Sequence, residues 1–199
     1  MNPKSEDYWR KRASRIKEML EKENPDIILV QELTYPMTSC IPDCYKKATG
    51  CSISHHVYCR KEYQVKDHEW HMRWCRAKIC TGDRLVNVFS VHTHWDKDIY
   101  TDTCFEITQK LITYWSGLFG GKNITNIAGG DWNNEPSAIE NHVFPMDIIR
   151  THAPTFCNWK TGKAAELDYF AVWPKAGKIS VVECPGSRYS DHKAVMLDI

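Results

Sequence analysis

An apolar run, Ile124 to Ala128, passes without interruption into Gly129-Gly130-Asp131-Trp132-Asn133. Its branched residues predict a buried strand, the two glycines allow a sharp turn, and the turn leaves a carboxylate and an amide at the rim of a sheet. Other predicted strands also end in chemistry. Asp26 to Leu33 (DIILVQEL) carries Glu32, Leu85 to Trp95 (LVNVFSVHTHW) carries His94, and Asp191-His192 stands just before the last strand, Ala194 to Ile199. Polar groups gathered at strand ends are how a rigid scaffold presents a site. Taken alone, Asp131 and Asn133 have a plain structural explanation, a turn in which both bond nearby amides.

The rest of the chain frames these strands. Ser5, Glu6 and Asp7 predict a helix start, and Trp9, Ala13, Ile16 and Leu20 mark its inner face until Asn24-Pro25 ends it. Asp26 to Leu33 reads as a strand buried on both faces. Thr34 to about Tyr58 reads as a long loop holding one short helix. Val57 to Val65, Trp70 to Ile79, Leu167 to Val172 and Ile179 to Cys184 read as further strands. A second helix is expected from Thr101 or Asp102 to Gly120-Gly121, with Phe105, Ile112, Trp115 and Phe119 inward. Strands outnumber helices and each helix lies between strands, which predicts an α/β protein of two packed sheets with helices outside.

A chain of 199 residues fits one domain over 1–199, enough to bury roughly 70% of its unfolded surface. With 42% hydrophobic and 26% charged residues it reads as folded rather than disordered. Lys and Arg number 26 against 25 acids, so no global field announces a polyanionic partner and a nucleic-acid surface has to be local. No apolar run is long enough to span a bilayer, and a monomer is the expectation. Nine cysteines, odd in number and irregular in spacing, read as reduced thiols of an intracellular protein of cytoplasm or nucleus. Cys40, Cys44, Cys51, His55, His56 and Cys59 could supply soft ligands to zinc, but their spacing favours scattered thiols. Arg60 to Arg84 holds seven Lys or Arg against four acids, interleaved with Tyr63, Trp70 and Trp74. That mix suits either phosphate binding with base stacking or two amphipathic strands with a solvated face, the latter favoured.

Asp168 opens the Leu167 strand and can accept a proton bond from His192, fixing its tautomer and favouring its cation. The set NPDIILVQEL (Asn24 to Leu33), VHTHWD (Val91 to Asp96), IAGGDWNNEP (Ile127 to Pro136), ELDYFAV (Glu166 to Val172) and SDHKAVMLDI (Ser190 to Ile199) resembles the endonuclease/exonuclease/phosphatase superfamily in order and spacing over nearly the whole chain. Gly-Gly-Asp-Trp-Asn and Leu-Asp-Tyr-Phe look closest to its retroelement endonucleases.

The resemblance implies a four-layer α/β/β/α sandwich and hydrolysis of phosphodiester bonds, foremost in DNA, with Mg²⁺ or Mn²⁺ held by Glu32 and Asp191. Asp131 would orient or deprotonate the attacking water, and Asn133 would steady the phosphate and Asp131. His192, aligned by Asp168, would stabilise the transition state, with His94 near the phosphate or leaving oxygen. A lipid-headgroup, inositol phosphate or nucleotide ester is the alternative substrate. A weakened binding domain is the alternative from another class, because family members usually begin with a strand that this chain lacks ahead of its first helix. Two further departures stand out. Glu106 occupies the position three before Gln109 where an arginine is common, and Thr-His-Trp-Asp replaces Thr-His-Leu-Asp. Convergence of Glu32, Asp131 and Asp191 should raise at least one carboxyl pKa until a cation binds.

Overall fold

Glu6 and Asp7 at one end and Lys22 at the other complement the dipole of the first helix, α1 (Glu6–Glu23). Ala13 and Leu20 are buried, and Trp9 and Ile16 pack beside them. Asn24, left-handed at φ 52, ends the helix with its N–H on the Leu20 carbonyl at 2.9 Å. This computed structural model describes residues 6–49, 54–116, 124–182 and 190–199. The expected Ser5 cap, Phe119, Gly120-Gly121 and the end of the Ile179 to Cys184 strand lie outside them.

The first strand, β1 (Ile27–Val30), is shorter than Asp26 to Leu33 because the chain leaves the ladder at Gln31. Its burial is also partial, with Ile28 alone buried. A 3-10 turn at Met37–Cys40 precedes β2 (Tyr45–Lys47) and β3 (His56–Arg60), and these form an antiparallel sheet in the order β1-β3-β2. The expected Val57 to Val65 strand is broken by a turn, after which β4 (Gln64–Trp70), β5 (Trp74–Thr81) and β6 (Arg84–His92) run as an antiparallel meander. β4 escaped notice because it is an edge strand exposed along most of its length.

Helix α2 (Lys97–Ser116) carries the chain to β7 (Ile124–Asp131), parallel to β6. It starts before Thr101 because the Asp96 carboxylate accepts the Asp98 N–H at 3.1 Å. Among its described side chains Tyr100, Cys104 and Ile107 face inward, whereas Phe105, expected inside, is 61% exposed; the side chains of Ile112 and Trp115 lie outside those described. A small thiol takes the buried position that hydrophobicity alone would have given to phenylalanine. A short helix, α3 (Pro136–Ile139), is followed by β8 (Asp147–Ile149), β9 (Phe156–Cys157), β10 (Ala164–Ala165), β11 (Asp168–Trp173), β12 (Lys178–Val182) and β13 (Ala194–Asp198). The large sheet has the order β4-β5-β6-β7-β11-β8, and β9–β10 and β12–β13 are separate pairs.

Packing follows from alternation along β6. Phe89 and Val91 join Tyr100, Cys104, Ile107, Trp132 and Tyr169 between the large sheet and α2. Val86 and Val88 point the other way, into a core with Val57, Ala77, Ile79, Ile127 and Phe170, against which Leu29, Val195 and Leu197 pack from the small sheets. Leu20 of α1 meets Ile28 and Tyr45 on the outer face of the three-stranded sheet. Each side chain fully buried in these layers contributes about 1.5–3 kcal/mol.

The Arg60 to Arg84 stretch is largely structural. Arg76 is 1% exposed and bonds Asp67 at 2.6 Å and Asn87 at 3.2 Å, while Trp74 is buried and donates to Glu106 at 2.9 Å. Glu106 thus ties β5 to α2. The seven described cysteines are free thiols, and Cys40 and Cys59 lie in apolar clusters. Among the described residues no cysteine joins a group able to hold a metal. Among them also, no helix is long and apolar enough to cross a membrane.

Candidate active site

Sheet register brings three strand-end residues together. β6 and β7 are parallel with His92 opposite Asp131, and β11 is antiparallel to β7 with Asp168 opposite Asp131. Neighbouring strands lie about 4.8 Å apart, so His92, Asp131 and Asp168 form one row across the end of the sheet. The turn after β7 is locked beneath them. Trp132 is fully buried, stacks on Tyr169 at 5.6 Å and 7°, and donates its ring N–H to the Tyr169 carbonyl at 3.1 Å. Gly130, at φ 138, cannot be replaced by a larger residue, because a Cβ there would stand 2.5 Å from Gln31 Nε2 and closer still to the Val91 carbonyl.

Asp131 is 9% exposed and well supplied with donors. Its Oδ1 accepts the Asn133 N–H at 2.8 Å and its Oδ2 accepts the Asn133 side-chain amide at 3.2 Å. The same amide reaches the Thr93 carbonyl at 3.0 Å, tying the β7 turn to the end of β6. His92 Nε2 and His192 Nε2 each stand 3.7 Å from Asp131 Oδ2. Burial raises the Asp131 pKa, opposed by the charge of His192 and reinforced by that of Asp168. The expected rise in a carboxyl pKa is therefore present, with desolvation as its main cause.

His192 is held from both sides. Its Nδ1 bonds Asp168 Oδ2 at 2.9 Å, and its ring packs on Phe156 at 5.0 Å, in a β-bridge between the two residues. Burial opposes a charged ring, but the Asp168 hydrogen bond and the charges of Asp168, Asp131 and Asp191 outweigh it and push the pKa up to about 9. At neutral pH the ring is an imidazolium whose Nε2–H faces Asp131. Thr155 sets the partner in place, since its buried hydroxyl accepts the N–H groups of Leu167 at 3.0 Å and Asp168 at 2.9 Å.

Glu32 comes from the opposite sheet. Gln31 Nε2 donates to Ser90 Oγ at 2.9 Å, which brings the end of β1 over β6. Glu32 then adopts a left-handed backbone at φ 55, which in a residue other than glycine costs on the order of 1–3 kcal/mol and collects at functional sites. Its carboxylate is 79% exposed and stands 4.0 Å from the same His92 nitrogen that faces Asp131. Asp191 is exposed, adds its charge to His192, and uses its carbonyl to accept the Cys157 N–H at 2.9 Å. His94 lies on the turn beyond β6, where Nδ1 accepts the Asp96 N–H at 3.0 Å and the ring leans on Trp95.

Glu32, Asp131, Asn133, Asp168 and His192 are thus joined by direct contacts, with His92 between the first two. In the Leu85 to Trp95 run the sequence pattern singles out His94, and His92 stands beside it as a further candidate. The signal was present in the alternation Val86, Val88, Ser90, His92, which puts His92 on the face of Ser90 toward β1.

Asp131, Asp168 and His192 offer ligand atoms within 4.8 Å of one another. With His192 engaged by Asp168, the ligand atoms that this end of the sheet offers a cation are carboxylate oxygens, Glu32 being the most exposed of them. A hard oxygen set without thiols suits Mg²⁺ or Mn²⁺.

No family description matches the chain, and no curated protein matches it. Solved structures do. A truncated TDP2 of Caenorhabditis elegans superimposes with a TM-score of 0.73 at 14% identity, over 96% of this chain and 91% of that one. An endonuclease/exonuclease/phosphatase protein of Bacteroides vulgatus gives 0.74 at 17%, over 95% and 90%. A mannosyl-6-phosphatase of Bacteroides thetaiotaomicron gives 0.71 at 18%, over 96% and 91%. Such identities speak to architecture, and on that evidence the chain has the endonuclease/exonuclease/phosphatase fold.

Proposed function

We propose that this chain is a divalent-metal-dependent phosphodiesterase acting on nucleic acid, foremost DNA. The observation that carries the reading is the Asp168–His192 pair at 2.9 Å with the Asp131 carboxylate 3.7 Å from the same imidazole. In-line hydrolysis needs a base beside the attacking water and a donor toward the phosphoryl oxygens, and these groups supply both. Asp131, with its raised pKa, takes the proton as water oxygen bonds to phosphorus and the ester P–O bond breaks. His192, held cationic by Asp168, donates from Nε2 to a phosphoryl oxygen, and Asn133 keeps Asp131 oriented. Glu32 and Asp191 would hold Mg²⁺ or Mn²⁺, leaving Asp131 to the attacking water. A cation held there would supply charge neutralisation at phosphorus and at the leaving oxygen. His94 serves from the adjacent turn as a contact to the phosphate or leaving group.

A small phosphate ester is the second reading, favoured by the likeness to a mannosyl-6-phosphatase and by a net charge of only +1. Incubation with plasmid DNA and with bis(p-nitrophenyl) phosphate in Mg²⁺ or Mn²⁺ decides, with Asp131→Ala and His192→Ala as controls. Cleavage of the small ester alone discards the nuclease, and cleavage of neither by the folded chain leaves a binding domain.

A further inference from the structure

Three exposed aromatic rings follow closely in sequence on residues of this site. Tyr35, Trp95 and Trp159 are 89%, 72% and 55% exposed. Tyr35 is three residues beyond Glu32, Trp95 three beyond His92, and Trp159 three beyond Phe156, which bridges His192. Three residues of chain span at most about 10 Å, so Tyr35 and Trp95 are anchored within that distance of Glu32 and His92, and Trp159 within it of Phe156. Trp95 is also held in place. Its ring lies 4.8 Å from that of His94, tilted by 32°, and the residues on either side of it are joined by the Asp96 N–H on His94 Nδ1 at 3.0 Å. The Asn134 amide grips the His94 carbonyl at 2.8 Å. Trp159 sits in the β9–β10 turn, where Asn158 Oδ1 accepts the Lys160 and Thr161 N–H groups at 3.0 and 3.1 Å, and Lys160 and Lys163 beside it are exposed.

We infer that these rings bind unpaired bases, with Trp95 and Trp159 as stacking platforms beside the site, so that single-stranded nucleic acid is the preferred substrate. The clause about substrate rests on the hydrolase reading; the binding does not. Exposed rings, with the ammonium groups of Lys160 and Lys163 beside Trp159, match a polymer of bases and phosphates, and a base inside a duplex offers no free face to them. A membrane surface would call for a continuous apolar patch, whereas Trp95 is followed by Asp96, Lys97 and Asp98.

Anisotropy of short fluorescein-labelled oligonucleotides, titrated with the full chain in EDTA, tests this. The arms are single-stranded DNA, single-stranded RNA, the DNA annealed to its complement, and phosphatidylcholine–sphingomyelin vesicles in a flotation assay. Single strands should bind more tightly than duplex, and Trp95→Ala and Trp159→Ala should each weaken that binding about tenfold, with Trp95→Phe closer to wild type. Phe105→Ala is the control, an exposed aromatic about 12 Å farther along α2, and it should change nothing. Thermal melts establish that each variant is folded. Preference for duplex, wild-type affinity in folded Trp95→Ala, or a Trp95-dependent signal on vesicles alone overturns the inference. Parallel hydrolysis of bis(p-nitrophenyl) phosphate by the wild type separates the two readings: Trp95-dependent binding without hydrolysis sinks the enzyme and leaves the base binding, and the converse sinks only the base binding.

Discussion

Replacing Asp168 by Asn keeps the shape of the side chain and removes the charge that sustains His192 as a cation. The wild-type ring is raised from 6.5 to about 9 against a burial effect that pulls the other way. That difference is worth roughly 3 kcal/mol of folded-state stability, at about 1.4 kcal/mol per factor of ten. Because the folded value lies above the unfolded one, the contribution is complete below pH 6.5 and is lost as pH rises through about 9. Asp168 supplies the hydrogen bond and the largest of the three charge effects on the ring, those of Asp131 and Asp191 being the others. Losing it should bring the His192 pKa down to between roughly 6 and 8. NMR titration of the ring resonances in metal-free protein reads this directly. Urea titrations at successive pH values should show the wild type losing stability on the alkaline side, and Asp168→Asn losing less over the same range. The alkaline limb of hydrolysis should shift to lower pH along with the ring. A His192 pKa still near 9 in folded Asp168→Asn would refute the reasoning, because Asp131 and Asp191 would then be sufficient.

Asp131→Asn should abolish hydrolysis while stabilising the metal-free fold by about 1 kcal/mol at pH 7. The buried carboxyl has its pKa raised above 3.8 in the folded state, so its ionised form costs stability at neutral pH and the cost vanishes as pH falls below that value; equal urea midpoints at pH 7 would contradict this. Mn²⁺ at a hundred times its Kd should stabilise the wild type by about 2.7 kcal/mol, and Glu32→Gln should remove most of that gain. A calorimetric shift unchanged in Glu32→Gln would place the cation elsewhere. Thr155→Val strips the acceptor from two N–H groups in the site's interior and should cost about 2 kcal/mol in urea unfolding, with kcat falling more than KM rises as Asp168 loses its position.

What could be read from the letters is what depends on local chemistry. Gly129-Gly130-Asp131 announces a turn at a strand end because only glycine tolerates the close approach of Gln31 and Val91, and the pairing of Asp168 with His192 follows from two residues that suit each other at any distance in sequence. What could not be read depends on partners far along the chain. Thr155 looks like any loop threonine until its hydroxyl meets the Leu167 and Asp168 amides, and β4 has too few apolar positions to betray a strand whose ladder is supplied by β5. His92 belongs between these cases. Its face is legible from alternation, but its importance comes from the register that sets it opposite Asp131, with Asp168 on the other flank. A one-residue slip of β6 against β7 would turn His92 away and bring Thr93, whose hydroxyl bonds the Trp132 carbonyl, into the row instead. The geometry of the candidate site is therefore a property of strand register, and the two cores on either side of β6, which fix Phe89 and Val91 one way and Val86 and Val88 the other, are what hold that register.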